Sequence, residues 1–394
     1  MSDRQFDIIL FGATGFTGFL TAEYLANNAS KRGIRFAIAG RNESKLVDVK
    51  NKLGLEDLEY FIASSDDKAA LLELTAKCTV LATTVGPFSK YGKDVVAACV
   101  ENGTNYCDIT GEFPFIYESI VDHHEDAKAN NIKIVHCCGY DCIPVDMGAF
   151  LAAKSLSSPP TKIRALCTKA NGLASGGTLA SAGSINKHKS TFTKAQRSDP
   201  YILVPDITDA LRVDKVVSKK TGPGYDSDFG TVTLPYFMSV IDNRLVRRSM
   251  ALRGVATSYD EAMSLGLIGR VSGFLLSHLP SVVGHLSPKP GDGPPKTIRN
   301  NGSFRVESKA TTADGEECTV SVTGKGDPGY QATAAMFSEA AMLLADPSLD
   351  ENATDDDLDH FKGGVLTPST AMGQALIDRL EETGLFTFTV NKKE

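Results

Sequence analysis

The feature that most constrains the fold is a glycine-spaced turn, Gly12-Ala13-Thr14-Gly15-Phe16-Thr17-Gly18. It lies between the apolar run Phe6 to Phe11 and a helical pattern that starts near Phe16. A strand that empties into a GxxGxxG turn and then a helix is the opening of a βαβ unit. Each glycine removes a Cβ where the backbone bends tightly, where it approaches a bound group, or where helix and strand pack closely. The helix behind the turn presents unpaired N–H groups and a partial positive charge, which suits a pyrophosphate. On this reading Gly12, Thr14, Gly15, Phe16, Thr17 and Gly18 contact a dinucleotide. The alternative is a glycine turn shaped by packing alone.

Five further short runs follow the first: Arg35 to Ala39, Tyr60 to Ala63, Thr79 to Val85, Asn105 to Ile109 and Ile132 to Cys138. Helical patterns lie between them; Val95, Val96, Cys99 and Val100 share one face, closed by Gly103. Short apolar runs alternating with helices imply right-handed crossovers and a parallel sheet buried on both faces. The expected class is therefore α/β. A Rossmann doubly wound parallel sheet comes first, then a second α+β domain, then C-terminal helices that return to the first domain. The expected boundaries are 1–156, 157–326 and 327–394, with the first break at Ser157-Ser158-Pro159-Pro160. In the second segment, Gly176-Gly177-Thr178 is expected to open a helix running towards Thr193. Ser287 to Gly302 reads as a proline- and glycine-rich surface loop, either a plain connector or a lid. Asp314-Gly315 reads as a hairpin turn between Phe304 to Thr311 and Glu317 to Thr323. In the third, helices are expected over Tyr330 to Ala345 and from Thr367-Pro368 to Gly384.

The second strand selects the dinucleotide. It ends Ala39-Gly40-Arg41-Asn42, with no acid at its tip to bond a ribose 2′-hydroxyl. A guanidinium at Arg41 can hold a 2′-phosphate bidentately, so NADP is expected over NAD. The bland alternative is a surface charge at a helix start. Ligands of such sheets sit outside the carboxyl ends of the strands. Thr84, Val85 and Gly86, at the end of the fourth strand, are therefore expected to line the cofactor. Thr110-Gly111-Glu112 and Gly139-Tyr140-Asp141 end the fifth and sixth strands and point to the same rim.

None of the 11 tyrosines has lysine four positions on, which excludes the usual Tyr-x-x-x-Lys proton donor, and no GxSxG, HExxH or P-loop lysine is present. Tyr140 and Asp141 are the first candidates for a catalytic proton donor, followed by Tyr91, Lys93 and Glu112. The structural alternatives are a buried phenol with a partner and a helix-capping carboxylate. A net charge of −7 over 394 residues argues against nucleic-acid binding. The 8 cysteines form no CxxC pair and no metal site is expected; they read as buried thiols in a reducing compartment. No targeting segment is evident and no run reaches the roughly 18 apolar residues of a membrane span, so the expectation is cytoplasmic. The most apolar stretch, 264–286, has two readings: a core or homodimer-interface element, or a peripheral membrane contact or acyl-chain entry.

Taken in order, GATGFTG at 12–18, Ala39-Gly40-Arg41, Val85-Gly86-Pro87-Phe88 with Tyr91-Gly92, and Tyr106-Cys107-Asp108 with Thr110-Gly111-Glu112 resemble the saccharopine dehydrogenase-like oxidoreductases. So do GYDCIPVD at 139–146, Ser175-Gly176-Gly177-Thr178, Gly326-Asp327-Pro328-Gly329-Tyr330, Gly363-Gly364 and Thr367-Pro368. The resemblance covers almost the whole chain. It implies NADP, with phosphate contacts on Thr14 to Gly18 and Arg41; the acid that follows the third strand in many members corresponds here to Asp66. Bacterial members include trans-acting enoyl reductases, which reduce C=C bonds on acyl chains held by polyketide synthases, and the animal member associates with lipid droplets. The implied function is NADPH-dependent reduction of an enoyl, lipid-like substrate, small or carrier-bound, with an acyl carrier or polyketide synthase as partner. The alternatives are a saccharopine-type imine reductase and a non-catalytic NADP-binding protein at a lipid surface. No arginine pair for a dicarboxylate substrate is assignable.

Overall fold

The computed structural model describes residues 4–171, 192–213, 223–264, 295–350 and 359–393. Two seven-stranded sheets organise it. The first holds β1 (Phe6–Phe11), β2 (Phe36–Gly40), β3 (Tyr60–Ile62), β4 (Cys78–Thr83), β5 (Asn105–Asp108), β6 (Lys133–Val135) and β13 (Gly364–Leu366). Their spatial order is β13-β6-β5-β4-β1-β2-β3, and every pairing is parallel. The order reverses beside β1, between β1 and β4, which places a ligand crevice at their carboxyl ends.

The helices that cross between these strands are α1 (Phe16–Asn28), α2 (Glu43–Leu53), α3 (Lys68–Ala76), α4 (Phe88–Tyr91), α5 (Lys93–Glu101) and α6 (Phe113–Ala129). Ile8, Ile9 and Leu10 are fully buried, as a strand covered on both faces requires. β6 is shorter than the run Ile132 to Cys138 suggests. Cys137 takes a left-handed φ of 66°, and its N–H donates to the Asp108 carboxylate instead of continuing the ladder.

The second sheet is mixed: β14-β12-β11-β7-β10-β9-β8. It comprises β7 (Lys162–Asn171), β8 (Gly224–Asp226), β9 (Thr231–Pro235), β10 (Ser258–Ser264), β11 (Ser303–Thr311), β12 (Glu317–Lys325) and β14 (Phe386–Lys393). Only β7 and β10 pair in parallel; β11 and β12 form the antiparallel hairpin around Asp314-Gly315. Helix α7 (Ile143–Lys154) leaves the first sheet and packs on β11 and β12 of the second. Two further helices are short, α8 (Lys194–Ser198) and α10 (Lys296–Asn301), and α9 (Ser239–Leu252) packs on β10 and α7.

The C-terminal segment supplies α11 (Thr333–Leu344) and α12 (Pro368–Glu382). α11 packs on α1 and on the first sheet. The segment also carries two strands that the helical periodicity did not suggest. β13 is only three residues long, and β14 is an exposed edge strand, so neither makes a strong apolar run. α11 starts at Thr333 rather than Tyr330, because Pro328 to Ala332 forms a π-type turn first. Thr367 caps α12 with a capping box, as its Thr-Pro sequence indicates.

The helix expected over 176–193 lies outside the described residues up to 191; Thr193 caps α8. Residues 265–286 and 287–294 also lie outside, and the remainder of the expected loop contains α10.

Candidate functional site

The Gly12–Gly18 turn sits at the carboxyl end of β1. Gly12 has φ of 99°, a conformation that disfavours any side chain, and its N–H donates to Ala39 of β2. A Cβ on Gly18 would stand 2.1 Å from the Gly12 carbonyl oxygen, and one on Gly12 would stand 2.8 Å from Val85. The Thr84 hydroxyl donates to the Gly12 carbonyl at 3.2 Å, which locks the β4 end onto the turn. Gly15 caps α1 without a side chain, leaving the first-turn N–H groups facing the turn. Gly12, Thr14, Gly15, Thr17, Gly18, Thr84 and Val85 therefore come together as one cradle. Phe16 is roofed by other segments: Tyr330 meets it edge-on at 4.7 Å, and the Arg299 guanidinium lies over it at 5.5 Å.

Arg41 follows β2 and is exposed. Asp66 lies within its field. The Asp66 carboxyl is held below its usual range by the Ser64 hydroxyl, then by backbone, with Arg41 contributing. Gly86 and Pro87 are joined by a cis peptide and lead into α4.

Beyond β5 and β6 the side chains are mostly committed to structure. Glu112 is fully buried and accepts from Phe88 N–H at 2.9 Å, Ser89 N–H at 3.1 Å and the Ser89 hydroxyl at 2.5 Å. It caps α4 and so fixes the loop that carries Gly86. Lys93 pairs with Glu118 at 2.9 Å, and Tyr91 lies under the Lys90 ammonium. Asp108 and His136 are fully buried and joined at 2.7 Å, with Ser119 on the far ring nitrogen at 2.9 Å and the Tyr106 hydroxyl donating to Asp108 at 2.9 Å. This network clamps β5, β6 and α6 together below the rim. Asp146 accepts from Ser249 and from Ser369 N–H, joining α7, α9 and α12.

Tyr140 and Asp141 are different, because they lie against side chains of the second sheet. The Tyr140 N–H donates to Thr333, its ring meets Phe304 of β11 at 4.7 Å, and its hydroxyl lies 3.9 Å from the Cys167 sulfur. Tyr236 shares a hydrogen bond with that hydroxyl. Burial holds the Tyr140 phenol well above its ordinary pKa, so it is a protonated donor at neutral pH. Asp141 is partly exposed, and burial of its carboxyl lifts it to about 6.

The sequence reading missed Tyr236, Cys167, Asp242 and Glu261, which assemble here from the β9–α9 connection, β7, α9 and β10. One signal was available. Tyr259, Glu261 and Met263 alternate along β10, so an acid occupies an inward position of a period-two strand. Among the described residues, no group of three or more His, Cys, Asp or Glu is arranged to hold a metal ion, and all 8 cysteines are free and buried. No helix among them is long and apolar enough to cross a membrane.

A doubly wound parallel sheet with a glycine cradle at its switch point defines a Rossmann-type dinucleotide-binding oxidoreductase fold. The narrower assignment comes from comparison. Residues 8–135 match the saccharopine dehydrogenase NADP binding domain. The chain is 34% identical over 415 residues to a candidate trans-acting enoyl reductase of Mycobacterium tuberculosis, covering 97% of each chain. It is 33% identical over 418 residues to the trans-acting enoyl reductase of Mycobacterium ulcerans, covering 98% of this chain and 97% of the other. Among solved structures, saccharopine dehydrogenase (L-Glu forming) from Saccharomyces cerevisiae aligns over 99% of this chain and 100% of that one. Its TM-score is 0.52 and its identity 12%, a likeness of fold. The protein belongs to the saccharopine dehydrogenase-like oxidoreductase family, and its N-terminal unit is that family's NADP-binding domain. The turn fits such a group: a Cβ on Gly15, at the start of α1, would meet only the Gly12 carbonyl at 3.4 Å, so the turn is open there, and no acid stands at the tip of β2.

Proposed function

We propose that this protein reduces the C=C bond of a 2-enoyl thioester with NADPH, on an acyl chain presented by a carrier protein of a partner synthase. The observation that carries this reading is near full-length similarity to proteins named trans-acting enoyl reductases, on a chain with an NADP-type cradle. In this reading Gly12, Thr14, Gly15, Phe16, Thr17 and Gly18 hold the pyrophosphate, Arg41 holds the 2′-phosphate, and Thr84, Val85 and Gly86 line the ribose side. Residues 1–156 bind the cofactor, 157–326 shape the substrate side, and 327–394 return to brace both. When bound, NADPH supplies the hydride. The chain's own task is to exclude water and deliver one proton to the substrate α-carbon. Tyr140 is the donor, since its phenol is buried, protonated and placed past the carboxyl end of β6; Asp141 connects it to solvent.

The test is direct. Purified protein with NADPH and a medium-to-long 2-enoyl thioester should oxidise the cofactor in a thioester-dependent manner, with the saturated product identified by mass. Tight NADPH binding with no turnover on free or carrier-bound enoyl thioesters would overturn the reading.

A further inference from the structure

Behind Tyr140 lies a pair of carboxyls to which no role has yet been assigned. Asp242 projects from the first turn of α9 and Glu261 from the inward face of β10. They are 0% and 3% exposed. Their carboxyls meet, and the Cys142 thiol lies against Asp242. No N–H or O–H donor among the described residues reaches any of the four carboxyl oxygens. Two carboxyls in contact, with no hydrogen-bond donor or ion pair to either among the described residues, cannot both ionise, so the pair holds a proton between them. A second observation points the same way. The Tyr259 hydroxyl, on a residue 1% exposed, sits in the same cluster and also lacks a hydrogen-bond partner among the described residues.

The pair connects towards the rim. In the β7–β10 register Glu261 stands opposite Ala165 and Met263 opposite Cys167, so Glu261 and Cys167 share one face of the sheet, one step apart. Cys167 touches Tyr140, and Tyr236 bonds both. The groups that face the pair are Cys137, Asp141 and Cys142 from the β6–α7 connection, Cys167 from β7, Tyr236 and Arg247 around and on α9, and Tyr259 and Asp260 from β10. Arg247 donates to the Asn243 and Tyr259 carbonyls. Burial lifts Glu261 to about 8 and Asp242 in the same direction, so the stored proton is present at neutral pH.

We propose that Asp242 and Glu261 are positioning residues that store one proton and return it to Tyr140 after each turnover. This rests on the enoyl-reductase reading. Hydride delivery to the β-carbon leaves an enolate. The Tyr140 O–H bond breaks, and its proton forms the new C–H bond at the α-carbon. The resulting phenolate takes the proton held by the carboxyl pair, by way of Tyr236. The pair then regains a proton from solvent through Asp141. The net uptake is one hydride and one proton per double bond, supplied by NADPH and water.

The experiment compares the wild type with Glu261→Gln and Asp242→Asn, which keep the side-chain shapes. The expected result is a kcat about tenfold lower in each, below the roughly 10²–10⁴ of a direct acid, with KM and NADPH affinity unchanged. The solvent deuterium isotope effect on kcat should rise, and the alkaline limb of the kcat profile should move. Wild-type turnover with kcat, isotope effect and pH profile unchanged in both variants would overturn the relay alone. Absence of any thioester-dependent turnover in the wild type would overturn the enoyl reading, and the relay with it. Infrared spectroscopy on the wild type gives a check that does not require the variants to be active. A protonated-carboxyl band is expected at pH 7 and should be lost in the Asp242→Asn/Glu261→Gln double variant. Its absence from the wild type would overturn the shared proton.

Discussion

The glycine turn after β1 and the carboxyl cluster beneath Tyr140 are built in opposite ways. The cradle is mostly backbone. Its shape comes from missing Cβ atoms at Gly12 and Gly18, from first-turn N–H groups of α1, and from one hydroxyl, Thr84, that ties two strand ends together. The cluster is all side chain: two acids, three phenols and several thiols, drawn from β7, β10, α9 and the β6–α7 and β9–α9 connections. A surface that holds a charged, solvated phosphate needs fixed dipoles and open space. A surface that moves protons needs titratable groups kept out of water, where burial shifts them away from their ordinary ranges. The two regions should therefore fail differently when altered: the cradle in binding, the cluster in turnover.

The sharpest separation comes from Tyr140→Phe. Removing one hydroxyl should lower kcat by about 10²-fold or more while NADPH affinity stays as it was. Titration calorimetry and steady-state kinetics on the same preparation check both halves. Wild-type kcat in this variant would move the donor role to Tyr236 or Asp141. Next comes Gly18→Ala, where the added methyl meets the Gly12 carbonyl at 2.1 Å. Overpacking of this kind costs roughly 1–3 kcal/mol, so NADPH binding should weaken about 10- to 100-fold. A kcat at saturating NADPH near wild type would complete the contrast; an unchanged Kd would show that the turn is shaped by packing and not by its ligand.

This contrast also explains what was readable in the sequence. The glycine turn is contiguous, Gly12 to Gly18 between a strand and a helix, and Thr84, which bonds to it, lies at the end of a recognisable apolar run. The parallel sheet was legible for the same reason, since strands buried on both faces are uniformly apolar. β13 escaped because three residues make no pattern, and β14 because an edge strand with one wet face reads as a polar tail. The cluster escaped for a deeper reason. Asp242 looks like an ordinary surface acid in a helix, and the inward position of Glu261 on β10 does not say what it meets. Only the packing of α9 on β10 brings them together, and no local spacing encodes that. Glu112 shows the converse. Its place at the rim suggests chemistry, yet three donors fix it as the cap of α4.

Arg41→Ala tests the solvated end of the cradle. Charge-assisted hydrogen bonds are worth roughly 1.5–3 kcal/mol, and exposure reduces that, so NADPH affinity should fall about tenfold with NADH affinity barely moved. Fluorescence titration with both cofactors reads the ratio. Equal NADPH binding in the variant and the wild type would assign the 2′-phosphate to another residue.

The smallest effect is on stability, and it isolates the cluster from the cradle altogether. Glu261 titrates near 8 in the folded chain because burial penalises its charge, against an ordinary glutamate near 4.5 in the unfolded chain. Between those values the folded chain binds a proton that the unfolded chain has released, so stability falls as pH rises. The contribution is fully present below about 4.5 and is lost as pH passes through about 8; Asp242 acts in the same direction. Denaturant unfolding at pH 5 and at pH 8.5 should therefore show a decline in the wild type that is shallower in Glu261→Gln, because a glutamine has no proton to lose. Arg41→Ala should keep the wild-type decline, since it leaves the buried carboxyl pair untouched. Equal slopes in all three proteins would mean that Glu261 is ionised in the fold. The cluster would then hold a carboxylate rather than a proton, and the distinction between a region that binds and a region that protonates would have to be drawn elsewhere.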